Sequence, residues 1–422
     1  MKEEVLQIKQ MIMDEENAQR EQLQLIASEN YISKDVREAL GSRLNNRYSE
    51  GYPGYKYYGG QEHLETIENK AIALAKKLFH ADHANVQPHS GAQANMAVYN
   101  AWCEPGDTIL GLSLDDGGHL THGSPVTQAA KIYKFVSYGL DDNGYIDLED
   151  LKNKIVEYQP KIILIGYSAY PRIPDFEAIA RIRNLYAPDS LLMADMAHVA
   201  GLIAGGVHLN PLDHNFDVMT TTTHKSLRGP RGGLILTKGK VSSPLRKPEH
   251  QLVNIPTLVD RSVFPGTQGG PICQNIAAKA IAFAEADTPE FREYAQQILK
   301  NAKTMEEVFR FNNVEMQSGG TDNHLLLLNV RKSFGLGGKE AEQRLEKIGI
   351  IVNKNAVHGD TGTKADPDGI RIGTPAITTR GFKEGDCQTL ARIIVDVLSE
   401  QHTIKGFFED IVKTLATEHP MP

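Results

Sequence analysis

The stretch that decides the fold of this 422-residue chain is Asp217–Gly233, which reads DVMTTTTHKSLRGPRGG. Its four consecutive threonines are β-branched, and such residues favour a stiff, extended strand over a helix. Lys225 follows two residues after the last threonine and opens a loop rich in glycine and arginine. Since open α/β sheets place reactive groups where their strands end, the pattern indicates a functional lysine at a sheet edge.

The chemistry of Lys225 depends on the charges around it. A lysine amine is nucleophilic only when it is neutral, whereas its ordinary pKa is about 10.4. Positive charges nearby would lower that pKa, and His224, Arg228 and Arg231 lie in the same stretch. The alternative is a solvated lysine on a basic loop, and the residues alone leave both interpretations open.

The strongest argument from the residues joins Asp195 to Lys225. Asp195 ends the apolar run Leu191–Asp195, where a carboxylate is costly unless it meets a positive charge. A protonated pyridine nitrogen would be such a partner, and a structural salt bridge is the rival account. The two residues are thirty positions apart, about one strand–helix–strand unit, so we expect both at one edge of a mostly parallel sheet.

Composition limits the class of protein. Its length predicts two domains and a terminal arm, and 41% apolar with 23% charged residues is typical of a soluble enzyme. A net charge of −8 argues against nucleic-acid binding. Three widely spaced cysteines exclude a disulfide framework and favour a reducing compartment. With no apolar signal region and no apolar run near the roughly 18 residues of a membrane span, we expect a cytoplasmic protein.

Four further segments carry patterns of their own. Asn46–Gly60 holds five tyrosines and four glycines around Glu50, which predicts an ordered loop displaying phenols, with a solvent-facing turn as the alternative. Ser90 and Gly91 open a predicted helix whose free N–H groups would suit an anion, although serine is also a plain cap. A predicted helix buries Ile67, Ala71, Leu74 and Leu78. His119 and His122 form an H-x-x-H pair among glycine turns, where zinc is not expected.

These motifs resemble those of the serine hydroxymethyltransferase family. Thr220–Gly233 is similar to the cofactor-lysine signature of that family, and the resemblance runs from Leu25 to about Phe382. The other matching segments, in the order of the family, are Leu25–Tyr31, Asn46–Gly60, Gln87–Asn95, Asp116–Ser124, Phe264–Pro271, Val352–Asn355 and Gly369–Ala376.

The resemblance implies a fold-type I enzyme dependent on pyridoxal 5′-phosphate, similar to aspartate aminotransferase. Such a fold is α/β, with a mostly parallel sheet in a large domain and an α+β C-terminal domain. We expect an N-terminal arm at 1–50, the cofactor domain at 51–280 and the small domain at 281–422. The implied reaction converts L-serine and tetrahydrofolate reversibly to glycine and 5,10-methylenetetrahydrofolate, through a cofactor aldimine and retro-aldol cleavage. A homodimer or dimer of dimers with shared active sites is also implied, without membrane, nucleic-acid or metal partners.

The resemblance also assigns roles to individual residues that match the motifs of the family. The catalytic residues would be Lys225, Glu50, His224, Asp195, His119 and Tyr58. The cofactor contacts would be Ser90, Gly91, Ala92, His119, Ser168, Asp195, His198, Lys225, Tyr48 and Gly270. The residues that contact the amino-acid substrate would be Ser28, Tyr58, Glu50, Arg371 and Arg231. The residues that contact the folate would be Leu114, Gly118, His119, Leu120, Asn355 and Phe264.

The chain departs from the family in three places. Asp115 and Asp116 stand where the family has alanine or serine followed by histidine, and two negative charges there would disfavour an anionic folate unless they point to solvent. Thr363–Ala365 stands where the family has Ser-Pro-Phe. The segment Gly239–Arg261 is longer than usual and is expected to be a surface insertion.

Two other interpretations stay open, and the departures near the folate support only the first. One is a related pyridoxal-phosphate aldolase acting on other β-hydroxy amino acids, or an α-methylserine transferase. The other is a non-catalytic relative that binds RNA or a protein partner. Four residues argue against this last class, because a scaffold has no need of them together: Lys225, Asp195, Glu50 and Arg371.

Overall fold

The computed structural model describes residues 2–240, 248–399 and 406–422. Two compact units divide the chain. One unit contains Ile32–Gln296, and the other combines Met1–Tyr31 with Gln297–Pro422. The three-segment division expected from the sequence, with boundaries after residues 50 and 280, stays a prediction.

The helices, in chain order, are α1 Lys2–Glu21, α2 Lys34–Leu40, α3 Glu62–Phe79, α4 Gly91–Trp102, α5 Gln128–Ile132, α6 Leu148–Tyr158, α7 Phe176–Tyr186, α8 Ala200–Ala204, α9 Ile255–Arg261, α10 Cys273–Ala286, α11 Pro289–Phe311, α12 Val330–Phe334, α13 Gly338–Glu346, α14 Pro375–Thr379, α15 Glu384–Ser399 and α16 Phe407–Glu418. In the three described ranges, none of these helices combines the length and apolar character needed to cross a membrane.

The strands, in the same order, are β1 Leu23–Gln24, β2 Gly51–Tyr52, β3 Tyr55–Lys56, β4 His83–Asn85, β5 Thr108–Leu112, β6 Lys134–Tyr138, β7 Ile162–Gly166, β8 Leu191–Asp195, β9 Val218–Thr222, β10 Gly233–Thr237, β11 Leu325–Asn329, β12 Ile350–Ile351, β13 Asn353–Asn355 and β14 Gly369–Gly373.

A seven-stranded sheet forms the centre of the unit Ile32–Gln296. Its strand order is β4-β10-β9-β8-β7-β5-β6. The strands from β9 to β6 pair in parallel, whereas β10 runs antiparallel to both β9 and β4. The parallel strands are apolar runs because helices cover both faces of such a sheet, and every residue of β7 is buried. The predicted mostly parallel sheet is confirmed.

The sheet brings the ends of β8 and β9 together. These strands pair in parallel with Asp195 opposite Thr220, so both end at the same edge. Lys225 lies three residues beyond the end of β9. The expected placement of Asp195 and Lys225 at one sheet edge is therefore confirmed.

The buried face of α3 differs from the prediction. Two of the four predicted core residues, Ile67 and Leu74, are only half-buried, and the buried stripe includes Glu68 instead. The carboxylate of Glu68 lies 2.6 Å from the ammonium of Lys56, and both side chains are at most 3% exposed. The apolar pattern missed this position because a charged residue on a helix is normally assigned to the solvent face.

The expectation of a surface insertion at Gly239–Arg261 is wrong for its last part. Helix α9 buries Ile255, Val259 and Asp260. The Asp260 carboxylate accepts a hydrogen bond from Asn85 at 2.8 Å and lies 2.8 Å from a ring nitrogen of His83. This helix therefore belongs to the core of its unit, while residues 241–247 lie outside the described part of the chain.

The second unit is α+β, as predicted for the C-terminal domain. Its three-stranded antiparallel sheet has the order β11-β14-β13, and β1 pairs in parallel with β12 through Leu23 and Ile350. The core extends from these strands to α13, α15 and α16 and includes Leu345, Leu390 and Val412. The N-terminal segment is thus built into this unit through β1.

One arginine ties the ends of two helices in the second unit. The Arg380 guanidinium donates to the carbonyls of Arg20 and Gln22 at the end of α1, at 3.1 and 2.6 Å. It also donates to the carbonyls of Ala416 and His419 at the end of α16, both at 2.5 Å. Carbonyls at a helix C-terminus lack intrahelical donors, so a buried cation there satisfies both helices.

Candidate active site

Asp195 is a buried carboxylate that stays ionised. One oxygen, Oδ2, accepts hydrogen bonds from Asn95 Nδ2 at 2.7 Å and from His122 Nε2 at 3.1 Å. The other accepts from the backbone N–H of Ala197 at 3.1 Å. Burial alone would raise the pKa of Asp195, but the interactions with His122, His119 and Asn95 outweigh burial and hold the pKa well below its usual range.

The orientation of the His122 ring follows from its other nitrogen. His122 Nδ1 accepts a hydrogen bond from the backbone N–H of His119 at 3.2 Å, so the proton lies on Nε2 and points to Asp195. No role for His122 follows from the sequence alone. The H-x-x-H spacing is the one signal in the sequence for this residue, and such spacing ordinarily indicates a metal site.

Asn95 of α4 connects the elements around Asp195. Its Oδ1 accepts from the Thr220 hydroxyl at 2.6 Å, and its Nδ2 also donates to Thr121 Oγ1 at 2.9 Å. The Thr121 hydroxyl lies 2.8 Å from Nδ1 of His119. Burial lowers the pKa of His119 to about 4, so its ring is neutral at physiological pH and presents a flat, uncharged face. Asn95 was missed because its partners come from three distant elements.

The loop that carries Lys225 is closed by its own backbone. The backbone N–H of Thr223 donates to the Gly232 carbonyl at 3.1 Å, and the Thr223 hydroxyl donates to Pro230 O at 2.5 Å. The Ser226 hydroxyl donates to His198 O at 2.7 Å, and His198 follows the end of β8. Lys225 itself is only 9% exposed. The loop thus holds a buried lysine against the chain that leaves Asp195.

His224 is not the positive neighbour that the sequence analysis expected. Burial, followed by the charges of Arg231 and Lys225, lowers the pKa of His224 to about 3, and the ring is therefore neutral. The side chain of Arg231 is exposed. The guanidinium of Arg228 lies over the Tyr294 ring, 4.4 Å from its centroid. Since its ring is neutral, the prediction that His224 adds a positive charge beside Lys225 is wrong.

The first turn of α4 faces the end of β9. The Ser90 hydroxyl accepts from Gln93 N at 3.2 Å and caps this twelve-residue helix, with Ala92 in its first turn. A Cβ atom at Gly91 would lie 2.7 Å from Cγ2 of Thr222, so only glycine fits there. The first N–H groups of a helix lack intrahelical acceptors and carry the positive end of its dipole, which suits a phosphate.

A tyrosine patch, defined as Tyr48, Glu50, Tyr58 and Gly270, lies on the same unit. The Tyr58 hydroxyl donates to Glu50 Oε2 at 3.1 Å, and this bond raises the pKa of Tyr58. The rings of Tyr48 and Tyr58 pack edge to face at 5.6 Å, and a Cβ atom at Gly270 would touch Tyr48. The two phenol side chains are 60% and 45% exposed. A ring nitrogen of His89, next to the α4 cap, lies 3.3 Å from Gly270 O.

Most of the predicted folate residues of this unit lie on the turn after β5. Gly118 closes that turn by donating to the Ser113 carbonyl at 2.8 Å, and the backbone N–H of Ser168 donates to Gly117 O at 2.8 Å. Leu114 is half-buried and Leu120 is exposed. Asp115 is also exposed, whereas Asp116 is half-buried. Phe264 lies elsewhere and packs edge to face with Tyr57 at 5.8 Å.

Arg371 lies in the middle strand of the small sheet in the second unit. Its Nε donates to Asn353 Oδ1 at 3.1 Å, across from β14 to β13. Burial lowers the pKa of Arg371 to about 10, so the guanidinium remains charged at neutral pH. Ser28 lies shortly after Leu25, whose carbonyl accepts from the backbone N–H of Gly373 at 2.7 Å. Arg371 thus lies within β14, and the segment that leads to Ser28 is hydrogen-bonded to the last residue of the same strand.

Asn355 ends β13, and a loop fixed by aspartates follows it. The Asn355 amide donates to the Ala356 carbonyl at 2.6 Å. Asp368 Oδ2 accepts from the backbone N–H of Thr361 at 2.7 Å, which closes the loop around Thr363–Ala365. All three residues of this departure from the family are exposed to solvent.

The donor atoms of His119, His122 and Asp195 lie within 4.8 Å of one another, a spacing that a metal ion could bridge. The hydrogen bond from His122 to Asp195 already joins two of these three groups. The expectation that no metal binds stays a prediction.

A family model matches most of the chain. Its description is Serine hydroxymethyltransferase, and it covers residues 1–394. The matched range includes every site residue described above in both units.

Proposed function

The chain belongs to the serine hydroxymethyltransferase family, and we propose that the residues at the ends of β8 and β9 bind its cofactor and act on serine. The enzyme converts L-serine and tetrahydrofolate reversibly to glycine and 5,10-methylenetetrahydrofolate. It uses pyridoxal phosphate, with tetrahydrofolate as co-substrate. When bound, pyridoxal phosphate supplies an electron sink for breaking a carbon–carbon bond of serine.

The observation that carries this assignment is the ionised carboxylate of Asp195 beside the strand that leads to Lys225. A buried negative charge favours a positive partner, and a protonated pyridine nitrogen is one. Asn95 and His122 hold the carboxylate in place and keep it ionised. The residues present therefore fit the ring end of the cofactor, and Lys225 is the amine proposed to bind its aldehyde.

The phosphate and the ring face have their own proposed contacts. The N-terminus of α4, at Ser90, Gly91 and Ala92, supplies N–H donors for the phosphate. The neutral ring of His119 is suited to stack on an aromatic ring without adding charge. Ser168 and His198 are proposed as further contacts, because each lies on the chain just beyond a strand of the central sheet.

The tyrosine patch is proposed to serve the active site of a second subunit. Glu50 would hold or release the proton of the serine hydroxyl, and its bond with Tyr58 positions it for that task. Tyr48, Tyr58 and Gly270 would contact the cofactor or the substrate of the partner. The support is that these phenols are exposed although they are ordered around a carboxylate.

The carboxylate of the amino acid is proposed to bind Arg371, with Ser28 and Arg231 as further contacts. A guanidinium has a planar pair of donors that matches a carboxylate, and Arg371 remains charged at neutral pH. For the folate we propose the residues Leu114, Gly118, His119, Leu120, Asn355 and Phe264. The exposure of Asp115 supports this, because a solvated charge repels an anionic folate less.

A reducing compartment such as the cytoplasm is proposed for the enzyme. Cys103, Cys273 and Cys387 are all buried free thiols. Free thiols are typical of proteins that work where glutathione and thioredoxin keep cysteines reduced.

The shared site can be tested by mixing inactive subunits. Glu50→Gln and Lys225→Ala proteins should each be inactive alone, because each lacks one part of every site. After subunit exchange, a mixed dimer has one intact site, and about a quarter of the wild-type activity should return. Mixing Lys225→Ala with Asp195→Ala is the matched control, since both changes fall in the same half-site and no activity should return. Mixed Glu50→Gln and Lys225→Ala dimers that stay inactive would refute the shared site.

A further inference from the structure

Lys279 of α10 is a buried lysine outside the proposed catalytic set. Its side chain is only 2% exposed. Its ammonium donates to three backbone carbonyls: those of Val86 and Gly233, each at 2.7 Å, and that of Pro88 at 3.1 Å. A protonated lysine has three N–H donors, so the three acceptors match it completely.

The three carbonyls belong to the two segments that form the candidate cofactor site. Val86 and Pro88 lie between β4 and the Ser90 cap of α4. Gly233 ends the loop that carries Lys225 and begins β10. The same two segments also bond directly, because the Pro88 carbonyl accepts from the backbone N–H of Gly233 at 3.0 Å.

The side chain of Lys279 is packed closely against the loop of Lys225. A Cβ atom at Gly232 would lie 2.5 Å from Cε of Lys279, and one at Gly233 would clash with the Ser90 carbonyl. The lysine stem therefore packs directly beneath the end of the Lys225 loop, and that loop touches the turn that caps α4.

The charge of Lys279 lowers the pKa of a histidine in each of the two segments. Burial lowers the pKa of Lys279 itself to about 7, while the charge of Glu68 opposes the shift. Burial also lowers the pKa of His89, next to Ser90, and the charge of Lys279 adds to that effect. On the other side, its charge contributes to the low pKa of His224.

We propose that Lys279 is a positioning residue for the cofactor. It ties the phosphate-binding turn at Ser90 and Gly91 to the loop of Lys225, and so fixes the phosphate anchor relative to the reactive amine. This inference rests on the proposed function, in which that turn binds the phosphate. Lys279 acts through the two segments and not by contact with the substrate.

The test compares pyridoxal phosphate with pyridoxal, which lacks the phosphate. Lys279→Met keeps the length of the side chain and removes all three donors. Titration of the full chain, followed by absorbance, gives a dissociation constant for each compound. The affinity for pyridoxal phosphate should fall about tenfold or more, whereas that for pyridoxal should change little. A general loss of structure would weaken both compounds alike.

Lys238→Met is the matched control. Lys238 donates to a single carbonyl, that of His80, at 2.7 Å, and lies beyond the opposite end of β10. This variant should keep the wild-type ratio of the two constants. If Lys279→Met does not fold, Lys279→Gln is the second variant. Its amide has two N–H donors for three carbonyls and no charge, so we expect a smaller loss that again affects pyridoxal phosphate and not pyridoxal.

The outcomes separate this inference from the proposed function. If the wild-type protein binds pyridoxal as tightly as pyridoxal phosphate, the turn at Ser90 and Gly91 does not bind the phosphate. The proposed positioning role of Lys279 is then overturned as well. A wild-type preference that the Lys279 variant retains unchanged would overturn the role of Lys279 alone. Equal losses for both compounds would also overturn it.

Discussion

At the scale of single residues, position along the sheet was predictable and hydrogen-bond partners were not. Asp195 and Lys225 were expected at one sheet edge because parallel strands joined by one crossover must end together. Asn95 and His122, which hold Asp195, come from a helix and a turn far away in the sequence. Such partners depend on tertiary packing, which no local pattern contains.

The charge state of His224 also could not be predicted from its neighbours in the sequence. Next to Lys225 in the sequence, it was expected to be a cation, but its environment is set by burial and by Arg231. Its neutrality appears only when the fold encloses the ring, because burial disfavours the charged form of histidine.

The low pKa of His224 predicts a dependence of stability on pH. In the unfolded chain a histidine titrates near a pKa of about 6.5, and in the folded protein His224 titrates at about 3. Between these values the unfolded state binds more protons, so stability is full above about pH 6.5 and falls as the pH drops. His224→Asn removes this titration and should reduce the loss, by up to about 1.4 kcal/mol per pH unit.

Urea unfolding near about pH 7 and about pH 5 measures this effect. The difference between the two midpoints should be smaller in His224→Asn than in the wild type. Equal differences in the two proteins would contradict the account of His224.

At the scale of elements, the sequence correctly predicted the strands β8 and β9 and the start of helix α4 after Ser90. The errors fell on buried polar groups. Glu68 lies on the buried face of α3, and Asp260 lies inside the core of its unit. A sequence pattern assigns such residues to the surface, because their burial depends on partners that only the fold provides.

The buried ion pair of Lys56 and Glu68 joins the tyrosine loop to α3. Lys56 also donates to the carbonyls of Ser49 and Gly51, on either side of Glu50. Lys56→Met leaves the Glu68 carboxylate buried without its cation, and it should lower the free energy of unfolding by about 3–5 kcal/mol. The double variant Lys56→Met/Glu68→Leu should recover most of that loss, because no charge is then left buried.

Equilibrium urea unfolding measures both variants. The control is Lys77→Met, which breaks an ion pair with Asp287 in which the lysine side chain is 66% exposed. It should cost no more than about 1 kcal/mol. A double variant as unstable as Lys56→Met would show that packing, and not the buried charge, dominates this site.

At the scale of the whole molecule, the length of a chain predicts more than one domain but does not indicate which distant segments pack together. The first residues belong with the C-terminal ones because Leu23 pairs with Ile350, more than three hundred positions away. The expected division, with an arm at 1–50, stays a prediction. A two-residue strand pair of this kind leaves no periodic signal in either segment.

For the homo-oligomer proposed above, we propose helix α1 as a contact between subunits. None of its residues is buried, and it exposes Val5, Leu6, Ile8, Met11, Ile12 and Met13. Exposed apolar patches of this kind mark interaction sites, and oligomers most often pair identical subunits. Ile8→Glu/Ile12→Glu should therefore shift the enzyme toward monomers in analytical ultracentrifugation. Lys9→Glu, a charge change on the same helix, should leave the mass of the oligomer unchanged. An unaltered mass in the double variant would refute this role of α1.

Lys225 is proposed as the amine that binds the cofactor aldehyde, and one experiment tests this assignment directly. Borohydride reduction of the enzyme loaded with pyridoxal phosphate fixes the cofactor to the amine that binds it. Peptide mass spectrometry then locates the modified lysine. We predict the modification on Lys225, and no stoichiometric modification in Lys225→Ala. A stoichiometric adduct on another lysine, or none in the wild type, would contradict the account.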